Sequence, residues 1–369
     1  RQMDHLRRSF LLLMASLLTV TLAGCPGETP TAGPGSKAES KKRIVLLTNG
    51  PDPFWDTCEA GALEAEKEFE LDGKGYVLSF ERGDFTDKAQ LDKLKQYNLQ
   101  SDIAAVGISV YNPDSAAIAR EMKKLQDKGV KVITFDGDIN REQFRDARYA
   151  YLGTDNIVGG RELGRAAKAI RPKDVQYTFF VGSTSAANAV ARMEGFVEGM
   201  GEAGTEIERL ADEADKNKAR KNVEGALDRN SDLNQLVGIW AYNTPQAVQV
   251  VKDRKLGEKV DVICFDAAEA SIKAMGDGDV DVMVVQNPYQ IGYESVKLLL
   301  AMTEDDQAII DGYYPEYAQE GEKDLFKTEL RVVVPNDNSI SKDIFEPETV
   351  FMTHEEFKAW LAERSLVSS

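Results

Sequence analysis

Several acidic and amide side chains in this sequence stand directly after short apolar segments. They are Asp52, Asp136, Asn243, Asp266 and Gln286. Carboxylate oxygens accept hydrogen bonds, and amides both donate and accept them, so these groups suit a ligand whose hydroxyls do both. Asp and Asn are also frequent in turns and at helix starts, which is the structural alternative for each of them.

Two aromatic residues accompany the first of these acids. A predicted turn at 50–52 links the apolar run 44–47 to a predicted helix, and Phe54 and Trp55 lie in the first turn of that helix. Their rings could stack on a ring-shaped ligand, or they could seat the helix on its sheet. Asp52 could likewise contact a ligand or cap the helix.

The sequence offers little for catalysis, metal binding or cofactor binding. Its two histidines, His5 and His354, lie far apart, so a Ser-His-Asp site has no obvious base and no Cys/His cluster has zinc spacing. The glycine run at 159–164 is not a dinucleotide fingerprint. We therefore expect no cofactor and no enzyme activity, although Asp136 and Asp266 could be read as the paired carboxylates of a sugar hydrolase.

The elements that must position these residues alternate regularly between strand and helix. Predicted strands lie at 44–48, 76–81, 103–109, 130–135, 149–152, 175–181, 206–210, 235–240, 260–265 and 280–285, with helical segments between them. Strands that alternate with helices of this length predict parallel sheets, and ligands of such folds bind at the carboxyl ends of the strands. This many strands are better divided between two lobes than wound into one sheet.

An internal echo supports the division into two lobes. The segment Val132–Asp136, with the sequence VITFD, recurs as Val262–Asp266, with the sequence VICFD. Each is an apolar strand that ends in Phe-Asp and is followed by a small residue. Two similar lobes that face each other would bring these strand-end side chains into one cleft.

The first residues have the pattern of an export signal. Residues 1–24 combine a basic start with an apolar run and a small-residue site before Cys25, and residues 25–43 form a Pro/Gly/Ser-rich linker. The alternative is a short membrane anchor with an incidental cysteine. Without residues 1–24 the chain has 42 basic and 61 acidic residues, a net charge of −19 that disfavours nucleic acid as a partner.

At this point the sequence resembles the type I periplasmic binding proteins, especially their sugar-binding branch. The likeness covers roughly residues 43–340. It is carried by eight motifs in family order: GPDPFW, VITFDGD, GTDNIVGGRELG, TSAANAVARMEGF, ADEADKNKA, WAYNTPQAV, VICFDAAEA and VVQNPYQIGYE. The resemblance implies an α/β fold class, with two Rossmann-like three-layer lobes of parallel sheet joined by a three-crossover hinge. It also implies that Cys25, at the end of a lipobox-like site, carries lipid.

The resemblance also implies a ligand-binding set. It consists of Asp52, Phe54, Trp55, Asp136, Asn188, Asn243, Asp266 and Gln286. Where the family often has an arginine, this chain has Gly137, and Asn188 replaces a second arginine. The family aromatic that closes the ribose site corresponds roughly to Ala214. These changes put ribose in doubt and leave a small polyol plausible. Arg192 is expected to make a structural ion pair or cap, and Gly159 and Gly160 to allow close packing.

The expected lobes follow the family's path, which crosses between them near Gly153, Gln286 and Asp324. Lobe 1 is then 44–153 with 287–323, lobe 2 is 154–286 with 324–340, and residues 341–369 form an extension. The extension should contain a helix from about His354 to Glu363, packed on a lobe. Cys58 and Cys264 are expected to be two separate buried thiols, with a disulfide between them as the alternative.

The function that the resemblance implies is capture of a monosaccharide or similar polyol between the lobes, for delivery to an ATP-driven membrane permease. The protein would be exported to the periplasm or cell envelope, anchored by lipid on Cys25 and monomeric. The alternative is a sensor component that presents its bound ligand to a receptor kinase or chemoreceptor. A transcription regulator, which shares this core, is disfavoured by the acidic charge and by the signal-like start.

Overall fold

The computed structural model describes residues 41–369, so the predicted signal, Cys25 and most of the linker lie outside the described residues. In chain order the strands are β1 (Lys42–Leu47), β2 (Tyr76–Glu81), β3 (Ile103–Ile108), β4 (Lys131–Phe135), β5 (Tyr151–Gly153), β6 (Val175–Val181), β7 (Gly204–Ala211), β8 (Gln235–Gly238), β9 (Asp261–Phe265), β10 (Val282–Val285), β11 (Leu325–Lys327), β12 (Arg331–Val334) and β13 (Val350–Thr353). The helices are α1 (Phe54–Glu68), α2 (Asp87–Asn98), α3 (Ala116–Asp127), α4 (Arg141–Phe144), α5 (Asn156–Ile170), α6 (Ala187–Met200), α7 (Lys216–Arg229), α8 (Asn243–Arg254), α9 (Glu269–Gly276), α10 (Pro288–Thr303), α11 (Gln307–Tyr313) and α12 (His354–Glu363).

The strands of the described residues form two sheets, which confirms the predicted α/β fold class. The first sheet has the order β2-β1-β3-β4-β5-β11, and all its strand pairs are parallel. The second has the order β7-β6-β8-β9-β10-β12-β13, in which β12 runs antiparallel to β10. Below, lobe 1 means the first sheet with its helices, and lobe 2 means the second sheet with its helices.

Each sheet is covered by helices on both faces, as the apolar run of a parallel strand requires. In lobe 1, α1 and α10 pack on one face, while α2 and α3 pack on the other. In lobe 2, α5 and α6 cover one face, while α7, α8, α9 and α12 cover the other. Both faces of each sheet are therefore buried, which leaves the carboxyl ends of the strands as the surface open to a ligand.

Helices α5 and α6 of lobe 2 pack unusually close to each other. A Cβ atom on Gly160 of α5 would lie 2.1 Å from the carbonyl oxygen of Arg192 in α6, and one on Gly195 would lie 2.2 Å from the carbonyl oxygen of Ile157. Only glycine allows this approach. The expected packing role of Gly160 is therefore observed, and it sets the distance between α5 and α6.

The chain passes from the first sheet to the second after Gly153, returns after Val285 and passes to the second sheet again after Lys327. The predicted boundary at Asp324 is therefore a few residues too early, because β11 pairs with β5 in the first sheet. Asp324 itself belongs to lobe 1. Its carboxylate accepts hydrogen bonds from Arg148, at 2.6 Å, and from Arg145.

The last residues pack on lobe 2 and then return toward the hinge. The helix α12 has the predicted bounds, and its Phe357 is fully buried, while the strand β13 before it was not predicted. Beyond α12, the backbone of Ser369 exchanges two hydrogen bonds with Ala267 of lobe 2. The hydroxyl of Thr57, in α1 of lobe 1, donates to the carbonyl oxygen of Ser368 at 2.9 Å.

Two further observations concern the whole described region. Cys58 and Cys264 are both buried and free, which confirms the favoured prediction of separate thiols. Among residues 41–369, no helix combines the length and the apolar character that crossing a bilayer requires.

Candidate functional site

A cavity lies between the carboxyl ends of the strands of the two sheets, where the crossings bring the lobes together. About 450 Å³ of space there is free of protein atoms, including space that is open to solvent. Its lining residues are Asn49, Asp52, Phe54, Trp55, Phe85, Asp136, Asn188, Arg192, Trp240, Ala241, Tyr242, Asp266 and Gln286. We call this space the central cavity. Of the eight residues predicted to bind ligand, the structure brings seven together here, and Asn243 is the exception.

The two halves of the sequence echo are also equivalent in the structure. Asp136 follows β4 and Asp266 follows β9, and each adopts a left-handed backbone conformation, with φ of 57° and 68°. A non-glycine residue in this region stores strain, and such outliers cluster at functional sites. The sharp turn after each strand aims one carboxylate from each lobe into the central cavity.

In lobe 2 a buried cluster surrounds Asp266. Its Oδ1 accepts a hydrogen bond of 2.7 Å from the amide of Gln286, and its Oδ2 lies 3.3 Å from Nη1 of Arg192. The guanidinium of Arg192 lies 3.9 Å from the centre of the Phe265 ring and donates to Asn156 at 2.9 Å. Arg192 thus makes the expected structural ion pair, but it also lines the cavity, which the sequence reading did not foresee.

In lobe 1, Phe54 and Trp55 are more deeply buried than two rings that only stack on a ligand would need to be. Phe54 is 8% exposed and Trp55 is 2% exposed, and the Trp55 ring meets Phe54 and Phe135 edge-on. The indole N–H of Trp55 donates to Oδ1 of Asn49 at 3.2 Å. Trp55 therefore forms the floor of the cavity and is part of the lobe's core as well.

Asp52 uses one of its oxygens within the helix start. Its Oδ1 accepts a hydrogen bond of 2.9 Å from the backbone N–H of Phe54. Asp52 also lines the central cavity. The two roles considered for it, helix capping and ligand contact, are therefore compatible in this geometry.

The three carboxyl groups of the central cavity are harder to ionise than carboxyl groups in water. Burial raises the pKa of Asp136 to about 6, and the charges of Asp266 and Asp52 add to this rise while Arg192 opposes it. Burial also raises the pKa of Asp266 and that of Asp52. Hydroxyl donors from a ligand would stabilise the ionised forms that burial disfavours.

Asn243 departs from its predicted role as a cavity residue. It is 1% exposed, its Oδ1 accepts from the backbone N–H of Trp240 at 3.1 Å, and its Nδ2 donates to Asp212 at 2.7 Å. Asp212 also accepts a hydrogen bond from the hydroxyl of Tyr242. Both ends of the Asn243 amide are thus engaged inside lobe 2, where they hold the turn that follows β8.

That turn carries three of the lining residues that sequence reasoning missed, Trp240, Ala241 and Tyr242, and the other three are Asn49, Phe85 and Arg192. Trp240 and Tyr242 stand directly after an apolar strand, just as Phe54 and Trp55 follow β1. The same signal could therefore have identified them. Ala214, where the family aromatic was expected, lines an adjacent cavity instead, together with Tyr242 and Ser369.

Three buried polar atoms at the central cavity have no hydrogen-bond partner among the described residues. They are Oδ1 of Asn188, Nε1 of Trp240 and Oε1 of Gln286. Buried polar atoms are normally paired, and each unpaired one calls for an explanation such as a ligand or water. Within residues 41–369 no cluster of His, Cys, Asp and Glu could hold a metal ion.

Comparison with known proteins gives a consistent result. The family described as periplasmic binding protein domain matches residues 44–307. The ribose import binding protein RbsB of Salmonella typhimurium is 25% identical over 288 residues, which cover 75% of this chain and 90% of that protein. The D-allose-binding periplasmic protein of Escherichia coli is 23% identical, over 74% of this chain and 88% of that protein.

Solved structures support the fold. The glucose-galactose binding protein GanP from Geobacillus stearothermophilus superimposes with a TM-score of 0.68 at 22% identity, covering 81% of this chain and 99% of that one. A solute-binding protein of an ABC transporter from Burkholderia graminis, in complex with D-arabinose, gives a TM-score of 0.67 at 22% identity. It covers 82% of this chain and 99% of that one.

These relatives are binding proteins and not enzymes, in agreement with the prediction for this chain. Membership of their family also implies export to the periplasm. The matched region contains most of both lobes and the residues that line the central cavity. The chain belongs to the periplasmic binding protein family and has the type I fold of its sugar-binding members.

Proposed function

We propose that this protein captures a monosaccharide or similar small polyol in the central cavity and delivers it to a membrane permease of an ABC importer. The observation that carries the proposal is the set of polar atoms of Asn188, Trp240 and Gln286 at the central cavity that have no partner among the described residues. Two acceptors and one donor, beside three carboxyl groups, match a ligand with several hydroxyls.

Each wall would contribute in a different way. In lobe 1, Asp136 and Asp52 accept hydrogen bonds from hydroxyls, and Phe54 and Trp55 supply an apolar floor. In lobe 2, Asp266 accepts from a hydroxyl while Gln286 and Asn188 offer amide groups. Charge-assisted hydrogen bonds of this kind are the strong ones, which favours retention of a neutral but polar ligand.

Closure of the lobes on the ligand is the conformational part of the proposal. Its support is the three short crossings, which follow Gly153, Val285 and Lys327. Hinges of a few residues allow rigid lobes to rotate, and a ligand that touches both walls would favour the closed form. The radius of gyration from solution X-ray scattering should then fall when a sugar is added. Superimposable curves with and without a bound sugar would contradict closure.

The attachment to the cell envelope is proposed from the sequence alone. Lipid on Cys25 would tether the exported protein close to its permease, provided that more than one acyl chain is attached. A Cys25→Ala variant should incorporate no labelled fatty acid in the native host, whereas a Cys58→Ala variant should be labelled like the wild type. Labelling of the Cys25→Ala protein would contradict the anchor.

A thermal-shift screen tests the ligand class. The purified protein is heated with pentoses, hexoses, deoxysugars and inositols, and a true ligand at 100 times its dissociation constant should add ~2.7 kcal/mol of stability. The Asp266→Asn variant should lose this response, and a variant of the exposed Asp337, Asp337→Asn, should retain it. Absence of a response to every sugar and polyol would contradict the proposed function.

A further inference from the structure

The segment that follows α12 touches both lobes, and it lies beyond residues 44–307, the region that matches the family. Phe357 of α12 is fully buried in lobe 2, and Leu366 packs against the same apolar cluster. We call residues 366–369 the strap. Its first residue is therefore anchored on lobe 2.

The strap is also bonded to lobe 2 beside the turn that carries Asp266. The backbone N–H of Ala267 donates to the carbonyl oxygen of Ser369 at 2.9 Å, and the backbone N–H of Ser369 donates back at 3.1 Å. The hydroxyl of Ser369 donates at 3.1 Å to the carbonyl oxygen of Gln286, where the chain crosses between the lobes. Because these contacts hold both of its ends, the strap should move with lobe 2.

The strap reaches lobe 1 at helix α1. The hydroxyl of Thr57 donates to the carbonyl oxygen of Ser368 at 2.9 Å, and both residues are buried. Helix α1 packs closely on α10 of the same lobe, since a Cβ atom on Gly61 would collide with the carbonyl oxygen of Tyr289. Thr57 should therefore move with lobe 1, and its hydrogen bond to Ser368 links the two lobes in addition to the three crossings.

The strap lies on the cavity side of the crossings. Ser368 and Ser369 line the adjacent cavity together with Pro51 and Phe54 of lobe 1, and Phe54 lines the central cavity as well. The walls of the central cavity come from both lobes, so the structure shows the lobes close together. Lobes that rotate apart at the crossings widen the space on this side. Thr57 should then move away from Ser368, and their hydrogen bond should break.

We propose that the strap stabilises the closed arrangement of the lobes before a sugar arrives and thereby raises the affinity for it. When only a fraction of the molecules is competent to bind, the apparent affinity falls in proportion to that fraction. A contact that exists only between closed lobes raises the fraction. This inference rests on the proposed closure around a sugar, and it assigns part of the affinity to Ser368 and Ser369, which do not line the central cavity.

The test combines solution X-ray scattering with calorimetric titration of D-ribose, D-allose, D-glucose, D-galactose and D-arabinose. Thr57→Val keeps the shape of the side chain but removes the donor. The ratio of closed to open molecules should then fall about fivefold, the factor for one hydrogen bond of ordinary strength. Ligand-free Thr57→Val should have a larger radius of gyration than the ligand-free wild type, and should bind the wild type's sugar up to about fivefold more weakly. At saturation with that sugar the two radii should agree.

Two variants separate this role from general damage. Thr57→Ser restores the donor, and Thr303→Val removes a hydroxyl that bonds only within its own helix, α10. Both should behave like the wild type. If Thr57→Val does not fold, Ser369→Ala, which removes the hydroxyl bonded to Gln286, decides by the same measurements.

The inference is overturned if Thr57→Val changes neither the ligand-free radius of gyration nor the sugar affinity, or if Thr303→Val changes them equally. Failure of the wild type to bind any sugar would instead contradict the proposed function. The radii of gyration of the ligand-free proteins would still test the strap in that case.

Discussion

Two tryptophans reach the same cavity from opposite lobes, and their surroundings differ. Trp55 of lobe 1 is 2% exposed, touches two phenylalanines and spends its N–H on Asn49. Trp240 of lobe 2 is half-buried, and its N–H has no partner among the described residues. The ring and N–H of Trp55 are thus both engaged within lobe 1, whereas the N–H of Trp240 is left unused by the described residues.

The largest expected effect follows from removing each ring in the ligand-free protein. Trp55→Ala should lower the free energy of unfolding by about 3–5 kcal/mol, because it leaves a cavity in a packed core. Trp240→Ala should cost only ~1 kcal/mol, because the ring already borders open space. Urea unfolding of the two variants measures both values. Equal costs would remove the contrast between the two residues.

A second test concerns the ion pair, which only lobe 2 presents to the cavity. Arg192→Met should destabilise the ligand-free protein by about 3 kcal/mol, since it leaves the buried carboxylate of Asp266 without its cation. Adding Asp266→Asn to that variant should recover part of the loss. Urea unfolding of the two single variants and the double variant gives the coupling free energy between Arg192 and Asp266. If the two losses of unfolding free energy are strictly additive, the pair is not coupled.

The raised pKa of Asp136 in lobe 1 should make the free energy of unfolding depend on pH. The pKa of Asp136 is raised to about 6 by burial from a reference of 3.8, so its folded form binds a proton more tightly than its unfolded form. Its contribution to stability is complete below pH ~4 and is lost as the pH rises through about 6. The Asp136→Asn variant has no carboxyl group at this position, so it does not lose stability in this way. The free energy of unfolding of Asp136→Asn, relative to the wild type, should therefore rise by ~2 kcal/mol from pH 4 to pH 7.

Urea unfolding without ligand at four pH values between 4 and 7 measures this difference. Asp337→Asn is the control, because Asp337 is exposed, and its curve should stay parallel to that of the wild type. A parallel curve for Asp136→Asn as well would show that Asp136 titrates normally in the folded protein.

The smallest expected effect concerns the segment after α12, which touches both lobes. Thr57→Val removes the one hydrogen bond that its hydroxyl donates to Ser368 and should cost ~1 kcal/mol in urea unfolding. Thr303→Val, which removes a hydroxyl that bonds only within its own helix, is the comparison. A larger loss for Thr303→Val would show that the contact with Ser368 adds little.

The sequence predicted the parts of the site that depend on local order along the chain. Parallel strands end at one edge of a sheet, so strand-end residues such as Asp136 and Asp266 could be assigned to one cleft. The repeated VITFD and VICFD segments indicated two similar lobes, and their left-handed aspartates confirm that equivalence. Strands β2 and β6 were predicted with their observed bounds, 76–81 and 175–181.

What the sequence could not give depends on partners far along the chain. The amide of Asn243 is engaged by Asp212, 31 residues away, so its distance from the ligand follows from packing and not from its motif. The burial of Trp55 depends on Phe135, and the position of Trp240 depends on Gly182. The strands β11 and β13 contain only three and four residues, too few for an alternating pattern to show.

The central claim is that one sugar is gripped by both walls at once, and calorimetric titration of one variant from each wall tests it most directly. The wild type should bind one sugar per chain. Asp136→Asn in lobe 1 and Asn188→Ala in lobe 2 should each weaken that sugar about tenfold or more, since each removes a hydrogen-bonding group from the cavity. If the sugar binds equally well to the wild type and to both variants, it binds outside the central cavity and the account is wrong.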